Sequence, residues 1–246
     1  DFYYGLREEN SDLRLRDYQQ PSFFPPSANQ GPFLLMLRSH SKIGLDFVLS
    51  LVNRCIGCFG EQRAPLQYVE PPTTVAFVTP SGQPLAIWAN LRLWNAYRAT
   101  SVMPSLLECA LMALESWLLQ VFSQEPKIRN AEDWLLAILE RSNNACLVAV
   151  VASICTAYPQ QTLRASAALL GCREFIKLDR MRGSQESSAL AVGGLGYDDQ
   201  LFQKERIASN KLPHRREDLE QLARQLQFTT ARETIWEILD AHRARL

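Results

Sequence analysis

Apolar residues recur at spacings of three and four through most of the chain, a pattern that predicts helices. In 41–59, Leu45, Val48, Leu49, Val52, Ile56 and Phe59 fall on one stripe, with Gly60 as the stop. In 104–122 the stripe is Leu107, Leu111, Leu114, Trp117, Leu118 and Val121. Segments 131–141, 144–158 and 161–170 follow after short breaks, with Asn130 (Asp133 three residues on) and Ser142 or Asn143 as expected caps. Segment 144–158 is apolar on nearly every side, so a helix enclosed by others is expected there. Its longest uninterrupted apolar stretch, Ala145–Ala157, is shorter than the roughly 20 residues that cross a bilayer, and no membrane contact is expected.

The pattern changes after Pro65. Residues 73–79 read Thr-Thr-Val-Ala-Phe-Val-Thr, and 85–88 follow Pro80-Ser81-Gly82-Gln83. Two short β-branched or apolar runs about such a turn predict a hairpin. A lone hairpin is marginally stable, so it is expected to lean on the helical body.

The ends differ from the middle. Pro21, Pro25 and Pro26 interrupt an irregular arm over 1–30, pinned through Phe23 and Phe24. Gly31-Pro32 opens a short helix through Leu37, and 91–97 restarts the helical pattern. Residues 181–196 are rich in Gly and Ser and read as a flexible loop. Beyond it, 197–246 forms C-terminal helices packed on the body: a modest one at 198–208, an amphipathic one from Pro213 with Leu219, Leu222, Ala223 and Leu226 inward, and a last one. Thr230 with Glu233 reads as the capping box of that last helix, which buries Ile235, Ile238 and Leu239. The expected fold is mainly α, an irregular or HEAT/armadillo-like helical array over 31–180 with a small β-hairpin insertion at 73–88.

Composition narrows the function classes. Hydrophobic residues at 47% and charged residues at 21% are globular values. Lys+Arg and Asp+Glu both number 26, and zero net charge argues against a dedicated binder of nucleic acid or anionic membrane. Six cysteines (55, 58, 109, 146, 155 and 172) lie among apolar neighbours, as expected of free buried thiols in the reducing cytoplasm. The chain opens at Asp1 without an initiator Met, which reads as a piece of a longer polypeptide.

Candidate chemistry is sparse. Cys55-Ile-Gly-Cys58 has the spacing of half a zinc site or a redox motif, but no second pair exists and His40 is the only nearby histidine. The expected reading is two thiols three residues apart on one helix. Of the other histidines, His214 lies in the charged run 214–218, read as a solvated face, and His242 in a C-terminal helical turn. Gly193-Gly194-Leu195-Gly196 follows no strand and lacks the lysine of a phosphate-binding loop. No catalytic, cofactor-binding or metal-ligating residue is assigned, and no cofactor is expected.

Two groups remain as candidate interaction residues. Arg173, Lys177, Arg180 and Arg182 cluster in sequence, and Arg215 with Arg216 can join them in space. Glu174, Asp179 and Glu186 dilute the cluster, and a solvated helix end explains the same residues. Trp94, Trp117, Trp134 and Trp236 read as core anchors within helices, whereas Trp88, ending the hairpin, reads as an exposed contact residue.

Three stretches together carry a resemblance: Gly31-Pro32-Phe33 followed by Gly44-Leu45-Asp46-Phe47; the run 90–101 with Trp94, Tyr97 and Arg98; and 212–219, Leu-Pro-His-Arg-Arg-Glu-Asp-Leu. They resemble a non-catalytic helical region of very large bacterial ATP-binding proteins with STAND-type signal-transducing modules, of the kind found among anti-phage defence genes. The ATPase motifs themselves are absent from the chain, so no nucleotide-binding residue carries over. The resemblance implies a scaffold or sensor module joined to other domains of a larger chain and meeting a protein ligand. Two other classes stay open: a small autonomous enzyme or metal-binding protein using Cys55 and Cys58, and a helical nucleic-acid-binding domain.

Overall fold

The computed structural model of the protein describes residues 23, 25–61, 70–101, 103–124, 130–186 and 200–244. Helices α1 (Phe33–Ser39) and α2 (Ser41–Gly60) are followed by strands β1 (Thr73–Val78) and β2 (Pro84–Ala89). Short α3 (Leu91–Trp94) runs into a 3-10 turn, Ala96–Arg98. Then come α4 (Ser105–Ser123), α5 (Glu132–Arg141), α6 (Ala145–Ala157), α7 (Leu163–Leu170) and α8 (Arg173–Glu186). Helix α9 (Gln200–Asn210), the 3-10 turn Pro213–Arg216, α10 (Leu219–Leu226) and α11 (Arg232–Arg243) complete the order. The fold is mainly α with a small antiparallel hairpin, as the pattern predicts.

Helix α6 occupies the centre because its sequence offers no polar face. Every residue from Ala145 to Thr156 is buried, and the helix touches α2, α3, α4, α5, α7, α10 and β2. A solenoid repeat touches only its neighbours in the stack. The arrangement is therefore the irregular array of the two expected alternatives, built around one enclosed helix. Its cap is Asn144, whose side chain accepts from Leu147 N at 3.2 Å, and not Ser142 or Asn143. Ser142 instead donates back to the Ile138 carbonyl.

The two longest helices bury the stripes that the pattern predicts, and α4 buries most of its remaining surface as well. In α2 the buried set contains all six residues of the predicted stripe, and in α4 it contains Leu107, Leu111, Leu114, Trp117, Leu118 and Val121 together with Ala110 and Ala113. Both helices are long and apolar enough to cross a membrane by length and composition, which the limit set on Ala145–Ala157 overlooks. The most apolar window of α4 is 78% buried, as befits a core helix, and that of α2 is 44% buried.

Helices α1 and α2 cross where Gly44 permits it. A Cβ at Gly44 would lie 2.8 Å from Leu37 N and from the Met36 carbonyl carbon, both backbone atoms that cannot swing aside. Gly44→Ala is expected to cost roughly 1–3 kcal/mol through this overlap. Thermal melting checks it, and an unchanged transition would contradict the packing.

The hairpin is stapled to the body at several points. Val75 and Phe77 face inward, and Phe77 packs on Phe175, which in turn packs on Trp94 at centroid separations of 5.4 and 5.5 Å. At the hairpin tip, Ser81 donates from its backbone N–H and its hydroxyl to Glu140, at 2.8 and 2.9 Å. At its base, Trp88 N donates to Asn143 O at 2.9 Å. The carboxamide oxygen of Asn53 accepts from Asn143 N and Asn144 Nδ2, while Asn53 Nδ2 donates to Arg141 O. Trp88 is half-buried over Gly60, where a Cβ would stand 2.3 Å from the indole. It anchors the hairpin and does not stand out as a free contact residue.

Several caps differ from expectation. Asn130 has φ 63 and makes no side-chain cap; α5 begins behind Ala131. Glu132 caps a different helix, accepting from Arg164 N and Ala165 N at the start of α7 at 2.7 and 3.0 Å, where a carboxylate meets the positive end of the helix. The box at Thr230 does not form, because α11 starts behind Ala231 with no side-chain cap. The reciprocal capping box belongs to Asp218 and Gln221 at α10. Residues 181–186 of the expected loop are the last turns of α8, and 187–196 lie outside the described residues, as do Phe24 and 1–22 of the expected arm. Phe23 packs against Phe33 at 6.4 Å, as the pinning argument requires.

Candidate functional site

A buried charge is costly unless it is paired and hydrogen-bonded. Arg98, Glu115, Asp179, Arg182, His214 and Arg215 are all buried nonetheless, and they meet beside α6. Four separate pieces of chain deliver them: Glu115 comes from the middle of α4, Arg98 from the turn after α3, Asp179 and Arg182 from α8, and His214 and Arg215 from the turn before α10.

Arg215 is the centre, 1% exposed and among the largest fully buried side chains. Its Nη2 donates to Glu115 Oε2 and to Ser209 Oγ, the latter at 3.2 Å, and its Nη1 to Ser153 Oγ at 3.3 Å. Ser153 in turn donates to Glu115 Oε1, so both carboxylate oxygens are engaged. The guanidinium carbon stands 5.4 Å from the centre of the Tyr97 ring, which adds a cation–π contact. Arg98 reaches Asn210 Oδ1 at 2.7 Å and so ties the turn after α3 to the end of α9.

Asp179 organises the second half. Its Oδ1 accepts from Trp94 Nε1 at 3.0 Å and Arg182 Nε at 2.7 Å, and its Oδ2 accepts from Leu219 N at 2.9 Å. That last bond satisfies an N–H in the first turn of α10. Arg182 continues to the carbonyls of Arg215 and Glu217. The turn 213–216 and the start of α10 are thus held from both sides, by Arg215 inserted into the body and by Arg182 grasping backbone.

The electrostatics follow from this crowding. Burial raises the Glu115 pKa, but the Arg215 charge and hydrogen bond, helped by Arg98 and Ser153, outweigh it and hold the carboxyl below its ordinary value. His214 moves the other way for an imidazole. Burial pushes it down to about 4, with Arg215, Arg98 and Arg182 adding to the effect against the opposing pull of Glu115. Its Nε2 has no hydrogen-bond partner among the described residues, which suits a neutral ring among guanidinium groups. Burial likewise raises the Tyr97 hydroxyl. The space enclosed by Tyr97, Ser153, His214 and Arg215 is too small for a water molecule, so the node is a packed contact and not a ligand chamber. An open groove of about 320 Å³ lies on its outer side between α4 and α9, lined by Met112, Glu115, Leu119, Glu205 and Ser209.

The structure sorts the candidate interaction residues into two sets. Arg182 and Arg215 are buried in the node, so they are structural cations and leave the expected basic surface. Arg173, Lys177 and Arg180 are exposed at spacings of four and three on one face of α8, with Arg180 paired to Glu220 at 3.4 Å, and Arg216 is also exposed. His214, expected in solvent, is buried. His242 bonds through its ring to the Leu170 carbonyl at 2.7 Å. Trp94, Trp117 and Trp134 are packed into the body, whereas Trp236 is 44% exposed beneath the guanidinium of Arg232.

The cysteines sit as free thiols, five of them buried and Cys58 half-buried. Burial raises the Cys55 pKa, with Cys58 adding to the effect, and pushes Cys155 and Cys172 up to about 12, so these sulfurs are poor nucleophiles. Among the described residues no three of His, Cys, Asp or Glu converge as a metal site would require.

Sequence reasoning missed Glu115 and Ser153, though a signal was present. Glu115 stands on the stripe of Leu111, Leu118 and Phe122, and Ser153 interrupts the most apolar helix of the chain. A polar group on a core face needs a buried partner, and the pair of arginines at 215–216 was the place to look. No protein-family model and no curated protein matches the chain.

Proposed function

We propose that the chain is a non-catalytic helical scaffold, a sensor or interaction module of a larger bacterial multidomain NTPase of the cytoplasm. Its partners on this reading are other domains of the same polypeptide and a protein ligand. The observation that carries the reading is the use to which the buried charges are put. Glu115, Asp179, Arg182 and Arg215 bind one another and the backbone of 215–219, so their chemistry holds one part of the chain against another. A displacement of the turn 213–216 and the start of α10 is felt at α8 through Asp179 and Arg182 and at α4 through Arg215, and such stiff coupling suits a module that passes a change of orientation to an attached motor. Burial of Arg182 and Arg215 also removes two of the six candidate cations from reach of a phosphate backbone, which favours a protein ligand over a nucleic acid.

An immunoblot of the source cells with an antibody raised against this chain tests the proposal. The expected band is several times larger than 27.9 kDa and co-purifies with an ATPase activity that the isolated chain lacks. A band at 27.9 kDa, or turnover by the isolated chain, would overturn it.

A further inference from the structure

The last two helices are held to the body in different ways. Four of the eight residues of α10 are buried, Leu219, Leu222, Ala223 and Leu226. Charged groups also grip its start. Asp179 accepts from Leu219 N, and Arg182 donates to the carbonyls of Arg215 and Glu217 just before the helix. Helix α11 has twelve residues and buries one of them, Ile235. Ile238 and Leu239 are partly covered, and Trp236 is 44% exposed. No side chain caps its first turn.

Polar ties do not make up the difference. Helix α11 packs on α7 and α10. Beyond the link 227–231, it makes one hydrogen bond to the rest of the chain among the described residues, from His242 Nε2 to the Leu170 carbonyl at 2.7 Å. That carbonyl ends α7, where the helix itself supplies no donor. The link is bonded to itself and to the two helices that it joins. Phe228, its one large apolar residue, is 93% exposed and anchors nothing.

We propose that α11 is a detachable strap, which leaves its seat on α7 and α10 while the node, α10 and the core around α6 stay folded. The boundary falls in the link because α10 is fastened independently, by its own buried face and by Asp179. A helix of about 12–15 residues is marginal in water by itself, so off its seat α11 melts and its amides meet solvent as a group. Release uncovers Ile235 together with the surface of α7 and α10 beneath it. The strap goes beyond the scaffold reading and does not depend on it.

Hydrogen exchange of the intact chain, followed by mass spectrometry and corrected for intrinsic rates, tests the proposal. The amides of α11 are expected to exchange about a hundredfold or more faster than those of α6 and α10. They should also respond less to low urea, since a local opening exposes little surface. Ile235→Ala removes the anchor and is expected to speed α11 exchange about tenfold or more, with α6 and α10 unchanged. His242→Ala deletes the bond to Leu170 and acts in the same direction. Equal protection of α10 and α11 with one common urea dependence would make them a single cooperative unit and overturn the proposal. So would an Ile235→Ala variant that unfolds the whole chain or speeds all three helices alike, or α11 exchange that neither variant changes. Exchange of wild-type α11 at the rate of an unstructured chain would mean that the helix has no seat, and overturns it too.

Discussion

Arg215→Met is expected to destabilise the protein by about 3–5 kcal/mol, the cost of stranding a buried carboxylate. Methionine keeps much of the volume but removes the guanidinium donors to Glu115, Ser153 and Ser209, leaving the carboxylate with Ser153 and no paired charge from Arg215. Against the roughly 5–15 kcal/mol that holds a typical domain folded, that is a large share. Removing both partners is a different matter, because no uncompensated charge remains. Arg215→Met combined with Glu115→Leu is expected to regain most of the loss, since apolar replacement of a buried pair is often neutral or stabilising. Urea denaturation of the wild type and both variants decides the matter. A single variant within about 1 kcal/mol of wild type would mean that the pair acts like a surface ion pair and that the node is not a clamp.

Lowering the pH from 7 to 4 is expected to remove about 3 kcal/mol through His214 alone. Its pKa falls from an ordinary 6.5 to about 4 in the folded protein, chiefly by burial. Between these values the unfolded chain binds the proton and the folded chain does not, so stability rises with pH across the window. The contribution is complete above about pH 6.5 and is lost as the pH falls toward 4, at about 1.36 kcal/mol for each pH unit crossed. Glu115 works in the same sense at lower pH. Its carboxyl is held below 4.5, so its stabilisation is present above that value and fades only beneath it. Denaturation curves at intervals from pH 7 to pH 3 separate the two. His214→Gln should flatten the profile between pH 6.5 and 4 and leave the fall below 4.5; a profile unchanged by this substitution would place His214 outside the node.

The helices were legible because packing and pattern agree. The stripes of α2 and α4 stand in the sequence residue by residue, and the enclosure of α6 follows from a segment with no polar side. The hairpin was legible in its turn and its β-branched run, but its attachment was not. Nothing local in Trp88 tells that Gly60, 28 positions earlier, leaves room for the indole. The helix starts were harder to read, because several local acceptors compete for the same N–H groups. Asn144 wins over Ser142 and Asn143, and Glu132, to all appearance an ordinary first-turn residue, serves a helix more than thirty residues away. The node was least legible. The charged run 214–218 has the composition of a solvated face, and only its partners on α4, α6 and α8, far away in sequence, draw His214 and Arg215 inside. Charge pattern alone cannot tell a surface from a socket when the socket is assembled from distant chain segments.

The position of α6 limits how a protein of this shape can change over evolutionary time. A stack of repeats grows or shrinks by one unit at its ends, and its interior is copied each time. Here the innermost helix is a single, unrepeated object against which most other elements are fitted, so no unit exists to duplicate. Lengthening must then come at the periphery, where the hairpin already stands as an addition stapled on from outside. The inner lining drifts only by concerted exchange of neighbours, and novelty in partners is confined to the outer turns and the outward faces of α2, α8 and α11.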